Sequence, residues 1–402
     1  MQEYQALIAA PRFRAFWFAL LCNNLASWCV IAAIPILVAE RFGAGMVLVL
    51  SLGLRILPKV ILAPVAAGLL RRLGAARIAS TAMVAMAVLT VLLPRCHNLV
   101  LLQVCIGAIG TLDLFIMPGL FSLRVPVTPP GLEMASNTLC SVAERVGKVA
   151  GPAIAGLAIT AGFDAAFAGF AVMIALSAIP VARLSAATDS AATQAQTGSL
   201  AGFLRMIRTD QQVAGLVIAS VTYMVLFGGL RPFLFWANRD WFGASDAAWT
   251  GLLAAQGAGA LIGALASAVF VSRLLRGISA YPLTLLTGFM EGSILLLLLL
   301  AQTSTQAIAI LVLAGIPEII STAAWFTAIQ SRMLPSQQAL FFTLVAPIWD
   351  VFFALGIASA ALHAEGMMSL SAYWTLLSLV PTLPLVPLLA IHMRHSSPIP
   401  SR

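Results

Sequence analysis

The sequence is short of charge. Only 9% of its 402 residues are Asp, Glu, Lys or Arg, while 61% are hydrophobic. A soluble domain carries roughly 25% charged residues. A water-soluble fold cannot hide this much apolar surface, so lipid is the natural solvent for most of the chain. Histidine is scarce as well. All four (His97, His363, His392 and His395) fall in or near loops, which argues against a zinc or haem site. The five cysteines (Cys22, Cys29, Cys96, Cys105 and Cys140) contain no CxxC pair, and four fall inside apolar segments. They read as small buried packing residues. No small-residue cleavage site follows a short apolar core near the N-terminus, so the first long apolar stretch is expected to stay in the membrane.

What the chain has in abundance is long apolar runs. A spanning helix needs about 20 such residues. Twelve stretches qualify: roughly 14–39, 46–70, 76–94, 99–121, 135–160, 163–181, 212–236, 248–271, 280–301, 306–329, 337–361 and 369–391. The fold class is therefore an all-α integral membrane protein with twelve transmembrane helices. The one long connection, Arg183–Gln211, holds a polar run, Ser185–Ser199, that reads as a linker. It divides the chain into bundles at 1–182 and 212–402, joined by a cytoplasmic linker at 183–211.

The net charge of +8 does not point to nucleic acid, because the basic residues sit in short loops. There they set topology. With the N-terminus inside, the cytoplasmic face holds Arg12, Arg14, Arg71, Arg72, Arg77, Arg124, Arg183, Arg205, Arg208, Arg273, Arg276, Arg332, Arg394 and Arg402. The other face holds Arg41, Arg95 and Arg239. Both termini are expected in the cytoplasm.

The halves resemble each other. Glu40-Arg41-Phe42-Gly43-Ala44 follows the first span, and Asp240-Trp241-Phe242-Gly243-Ala244 follows the seventh, 200 residues on. An offset of 205 pairs Asp113 with Glu318, Arg145 with Asp350 and Gly151 with Gly356. Two six-helix repeats in parallel topology are expected.

Ten charges lie within spans: Arg55, Lys59, Arg145, Lys148 and Arg231, and Asp113, Glu144, Glu291, Glu318 and Asp350. An unpaired charge at mid-bilayer costs roughly 2.5–3.5 kcal/mol on insertion scales. Many must be paired or face a water-filled cavity. Arg55 and Lys59 share one helix face, and Glu144 can pair with Lys148 one turn on. Static ion pairs locking helices together are one reading. A substrate or proton site between the repeats is the other, and the symmetric placement of Asp113 and Glu318 suits it. Arg231, near a helix end before Pro232, can equally snorkel to the interface. A membrane enzyme would need a clustered nucleophile and base or metal ligands, and none stands out. No cofactor is expected.

The fifth span reads Gly147-Lys-Val-Ala-Gly151-Pro152-Ala-Ile-Ala155-Gly156. Its glycines permit close backbone approach and Pro152 removes a hydrogen bond. The run resembles the antiporter signature of the major facilitator superfamily, with Ala155 where a second glycine is usual. Gly68-Leu-Leu-Arg71-Arg72-Leu-Gly74-Ala-Ala-Arg77 resembles that superfamily's gating loop between helices 2 and 3, with Arg71 in place of the usual acid and Ala75 and Ala76 at two basic positions. Gln103 stands nearest to an arginine often found early in helix 4. Phe13-Arg14-Ala15-Phe16, Trp249-Thr-Gly-Leu-Leu and Ile329-Gln330-Ser331 look like the branch of enterobactin-type siderophore exporters and macrolide efflux proteins. The resemblance implies the major facilitator fold and proton-coupled export by alternating access, with the proton gradient as energy source. It also implies a monomer in a bacterial inner membrane. Arg and Lys beside acids suit an anionic or zwitterionic small molecule such as a siderophore. The alternative is a lipophilic drug, held by an acid among Phe16, Trp17, Phe115, Trp325 and Phe326.

Overall fold

A computed structural model describes residues 2–188, 200–266, 279–333 and 335–396, nearly all of them helical. Its long helices are α1 (Pro11–Phe42), α2 (Met46–Leu73), α3 (Ala75–Leu92), α4 (Leu99–Val127), α5 (Glu133–Ile159) and α6 (Phe163–Thr188). They continue with α7 (Gln211–Trp236), α8 (Trp249–Ala266), α9 (Ala280–Leu296), α10 (Ser304–Arg332), α11 (Pro335–Ser359) and α12 (Leu370–Ser396). Eleven are long and apolar enough to cross a bilayer. The twelfth, α5, has the length, at 27 residues, but carries Glu133, Glu144, Arg145 and Lys148.

Glycine sets several boundaries. Gly43 and Gly243, 200 residues apart, take φ of 87° and 56° at the turns after the first and seventh spans. A side chain is disfavoured there, so one local stop is used twice. The stretch expected as a gating loop turns out to be helix. Gly68, Arg71 and Arg72 lie in the last turns of α2 and Arg77 in the first turn of α3. Leu, Ala and Arg favour helix, and Gly74 alone, at φ 85°, interrupts it. The expected linker is helical at its start, where α6 runs to Thr188, and near its end, in the short helix Leu200–Thr209. Residues 189–199 of that linker lie outside the described residues, as do Arg273, Arg276 and Arg402 of the basic set.

The chain forms two compact units, Met1–Gln194 with Ser245–Ala254, and Ala195–Ala244 with Ala255–Arg402. Their internal packing repeats. In the first unit α1 packs on α5 and α6, α3 on α4 and α6, and α2 on α4. In the second, α7 packs on α11 and α12, and α9 on α10 and α12. Closest approaches recur at equivalent glycines. A Cβ at Gly110 would collide with the Arg55 carbonyl, and one at Gly315 with the Gln256 carbonyl. Likewise a Cβ at Gly151 would crowd Leu25 and Trp28, and one at Gly356 would collide with the Val225 carbonyl. Each pair of glycines is 205 residues apart. Without a hydrophobic drive between helices in lipid, such backbone contact is what holds a bundle together.

The entry to α7 is fixed by polar groups. Asp210 caps the helix, its Oδ1 accepting from the Gln212 and Val213 amides at 2.8 and 3.2 Å. Its Oδ2 accepts from Arg332 Nη1 of α10 at 3.0 Å. Burial pushes the Asp210 carboxyl up. The Val213 amide, Arg332 and the Gln212 amide outweigh it and hold the group below its ordinary value. A depressed carboxyl contributes stability above the unfolded value, and that stability is lost as pH falls through the folded one. Asp210→Asn keeps the cap and loses the charge. In thermal melts at pH 7 the variant should lose on the order of 1 kcal/mol or less, and the gap to wild type should close below about pH 4. A gap independent of pH would contradict the ion pair.

Candidate functional site

In the first unit, Arg55 and Lys59 project from one face of α2 toward Asp113 on α4. Asp113 Oδ2 accepts from Arg55 Nη2 at 3.2 Å and lies 3.4 Å from Lys59 Nζ. The side chains are 7% (Arg55), 12% (Asp113) and 24% (Lys59) exposed. One acid therefore serves two cations, and the cluster keeps a net positive charge. Arg55 Nη1 is buried and finds no hydrogen-bond partner among the described residues. One turn earlier on α2, the Ser51 hydroxyl accepts from Gln103 Nε2 at 2.8 Å, extending the polar seam between α2 and α4.

The α5 charges form a separate group. Glu144, Arg145 and Lys148 are half-buried, and Glu144 has Arg124 and Arg145 as cationic neighbours. Arg124 also donates to Asn137 Oδ1. The glycine row of α5 packs tightly. A Cβ at Gly147 would press on Asn24 and one at Gly156 would strike the Thr250 hydroxyl. Gly151 accepts from the Cys29 thiol at 3.1 Å, and Pro152 is buried beside it. Gly147, Gly151, Pro152 and Gly156 thus serve as packing surface.

The second unit holds a cavity of about 190 Å³ lined by α7, α9, α10, α11 and α12. Glu291 and Glu318 both face it, with Tyr223, Trp325, Phe326 and Trp349. The Tyr223 hydroxyl lies within hydrogen-bonding reach of both carboxyls. Thr284, Ser321 and Thr322 add hydroxyls to the wall, and no Lys, Arg or His is part of it. Two carboxyls that meet in one apolar site are costly when both are ionised. A proton or a bound cation meets that need. The aromatic wall is rigid. Trp325 donates Nε1 to the Leu216 carbonyl at 2.9 Å, and its ring lies 5.3 Å from Trp349 and 5.2 Å from Phe326. Trp349 Nε1 finds no acceptor among the described residues.

Sequence reasoning singled out both glutamates but not the tyrosine that joins them. Tyr223 is one of only four tyrosines, and its place within a span was the available signal. Arg231 lies over the rings of Phe227 and Phe353, 5.4 and 5.0 Å from their centroids, so aromatic faces receive this cation. Asp350 is half-buried on α11. Of the aromatics considered for a drug site, Trp325 and Phe326 reach the cavity. Phe16 packs against Phe13, Trp17 donates to the Leu139 carbonyl at 2.9 Å, and Phe115 sits half-buried on α4.

Twelve spanning helices in two repeats, with ionisable groups buried in each, define a membrane transporter rather than an enzyme. The chain belongs to the Major Facilitator Superfamily, whose family profile matches residues 16–380. No curated protein matches the sequence closely. Solved structures share the fold at low identity. A peptide transporter POT in complex with sulfate aligns over 97% of this chain and 98% of its own, at TM-score 0.75 and 13% identity. The nucleoside transporter NupG aligns over 96% and 99%, at 0.68 and 12%. The human organic anion transporter MFSD10 (TETRAN) aligns over 94% and 99%, at 0.65 and 13%.

Tyr223→Phe removes the hydroxyl that lies within reach of the two carboxyls. The thermal midpoint in detergent should fall, by the equivalent of about 1–3 kcal/mol. An unchanged midpoint would show that the hydroxyl bridges nothing.

Proposed function

We propose that this chain is a proton-coupled exporter of a small organic molecule, acting by alternating access. The observation that carries the reading is the carboxyl pair Glu291 and Glu318, joined by Tyr223 in an apolar cavity whose wall has no basic side chain. Such a pair can take up a proton and give it up when a cationic cargo arrives. Export, rather than uptake, draws its support from the likeness of the α5 glycine run to the antiporter signature, and so does a bacterial inner membrane as the location.

For the cargo, the cavity wall supports a lipophilic molecule bearing an amine. Trp325, Phe326 and Trp349 offer aromatic faces beside two acids, a combination that holds organic cations. The five basic residues within spans do not oppose this reading, since none of them faces the cavity. A second reading, an anionic or zwitterionic siderophore, draws on a different observation: the net positive cluster of Arg55, Lys59 and Asp113 in the first unit.

Ethidium uptake into inside-out vesicles, energised and then collapsed with a proton ionophore, tests the first reading. Glu318→Gln and Glu291→Gln should each slow gradient-driven uptake at least tenfold, about 1.4 kcal/mol or more, while the protein stays folded. Undiminished uptake in both variants would remove the pair from coupling. For the second reading, a deletion strain should stop releasing an iron-repressed chelator into its medium. Unchanged chelator release with raised sensitivity to antibiotics would decide for the lipophilic cargo.

A further inference from the structure

The Arg55–Lys59–Asp113 cluster is more than the fold requires. Where α2 meets α4, the contact is made by backbone: Gly110 lies against the Arg55 carbonyl. The equivalent contact in the second unit sets Gly315 against the Gln256 carbonyl and the Ala260 amide. Positions 256 and 260 stand 201 residues after 55 and 59. The same helix pair therefore forms in the second unit with Gln256 and Ala260 where the first carries Arg55 and Lys59. Helix packing at this seam does not need the two cations.

Their cost is real. Taking a guanidinium and an ammonium out of water is expensive, and attraction to partners offsets it only when the charges balance and the remaining hydrogen bonds are made. Neither condition holds. Two cations face one carboxylate, leaving the cluster at net +1. Arg55, 6% exposed as a residue, has Nη2 on Asp113 while its buried Nη1 donates to no group among the described residues. An excess positive charge with an unused buried N–H is the complement of an oxyanion. Lys59 is the most exposed member, at 24%.

We propose that Arg55 and Lys59 form an anion-binding subsite for a carboxylate-bearing organic molecule, with Asp113 as a built-in competitor. Asp113 already occupies part of the coordination that a ligand carboxylate would use. It keeps the two cations apart from other anions when the subsite is empty and weakens the ligand when it is full. The chemistry fits a monocarboxylate better than phosphate or sulfate, because the cluster has one positive charge to give. An acidic lipid headgroup presents a single negative charge too, so the test must separate the two.

The subsite does not depend on the proton-coupling reading. It lies in the first unit, apart from Glu291 and Glu318, and is tested at equilibrium with no gradient. The purified full-length protein, in nanodiscs of phosphatidylcholine alone, is titrated with benzoate by calorimetry, with inorganic sulfate as a second probe. Benzoate is expected to bind saturably and more tightly than sulfate. Lys59→Gln should weaken it about tenfold, and Asp113→Asn should tighten it about tenfold, as befits adding or removing one charge near the ligand. The tightening is the telling result, since a cluster that merely clamps helices would gain nothing from losing its acid. Replacing a third of the lipid by phosphatidylglycerol should leave benzoate affinity within twofold. A large loss there would assign the subsite to lipid headgroups and overturn the proposal. So would equal affinity in wild type, Lys59→Gln and Asp113→Asn, or weaker binding in Asp113→Asn. If Asp113→Asn melts too low to titrate, Lys59→Glu replaces it and must abolish benzoate binding. Persistent binding in that variant would equally overturn the proposal.

Discussion

Everything distinctive about this molecule follows from one constraint. A charge placed in hydrocarbon must find a partner or water. The chain is 61% hydrophobic and still commits ten charged side chains to its spans. The structure answers the constraint in several ways. Asp113 is matched with two cations, and Glu144 lies among arginines. Arg231 rests on two phenylalanine faces. Glu291 and Glu318 share a tyrosine hydroxyl at the wall of a cavity. The last two acids line a cavity whose wall carries no basic side chain, and proton coupling is therefore ascribed to them.

Packing sets the frame in which those charges act. Lipid gives helices little reason to associate, so contacts come from backbone brought close to backbone. Gly110, Gly151, Gly315 and Gly356 each stand where a Cβ would crowd or collide with a neighbouring helix. These contacts spend no polar groups, and they leave the side chains around them free to differ. The glycine row on α5 belongs to the same frame. Gly147 and Gly151 bring α5 against Asn24 and Trp28 of α1, so the stretch that resembles a transport signature is, locally, a close-packing device.

The sequence exposes the frame more readily than the site. Eleven spans follow from hydropathy because a bilayer imposes a length and a composition on a crossing, and α5, with its four charges, stands out by length. The duplication is visible at Gly43 and Gly243 because a left-handed turn admits little but glycine. The turn between α2 and α3 is harder to read. Charges at Arg71, Arg72 and Arg77 suggest a loop, yet arginine favours helix, and Gly74 alone breaks the chain. Site chemistry is harder still. Buried acids announce themselves by their cost, so Glu291 and Glu318 are recognisable one at a time. Their meeting depends on α9 and α10 packing together, and Tyr223 enters from a third helix. A tyrosine within an apolar span has an interfacial or packing explanation that composition cannot separate from this one.

The two units show what duplication leaves open. Equivalent backbone contacts hold Gly110 to Arg55 and Gly315 to Gln256, while the neighbouring chemistry has opposite sign. The first unit surrounds its acid with Arg55 and Lys59. The second pairs its acid, Glu318, with another acid through Tyr223 and has Gln256 and Ala260 at the matching positions of α8. One packing scheme can thus carry a basic cluster in one repeat and an acidic cavity in the other, because the atoms that hold the helices together are not the atoms that hold the charge. The divergence is also one-sided in energy. Replacing a cation by Gln or Ala at such a seam removes a desolvation cost, so the presence of both Arg55 and Lys59 in one unit calls for a compensating interaction. Asp113 supplies part of it, and an anionic ligand is the simplest source of the rest.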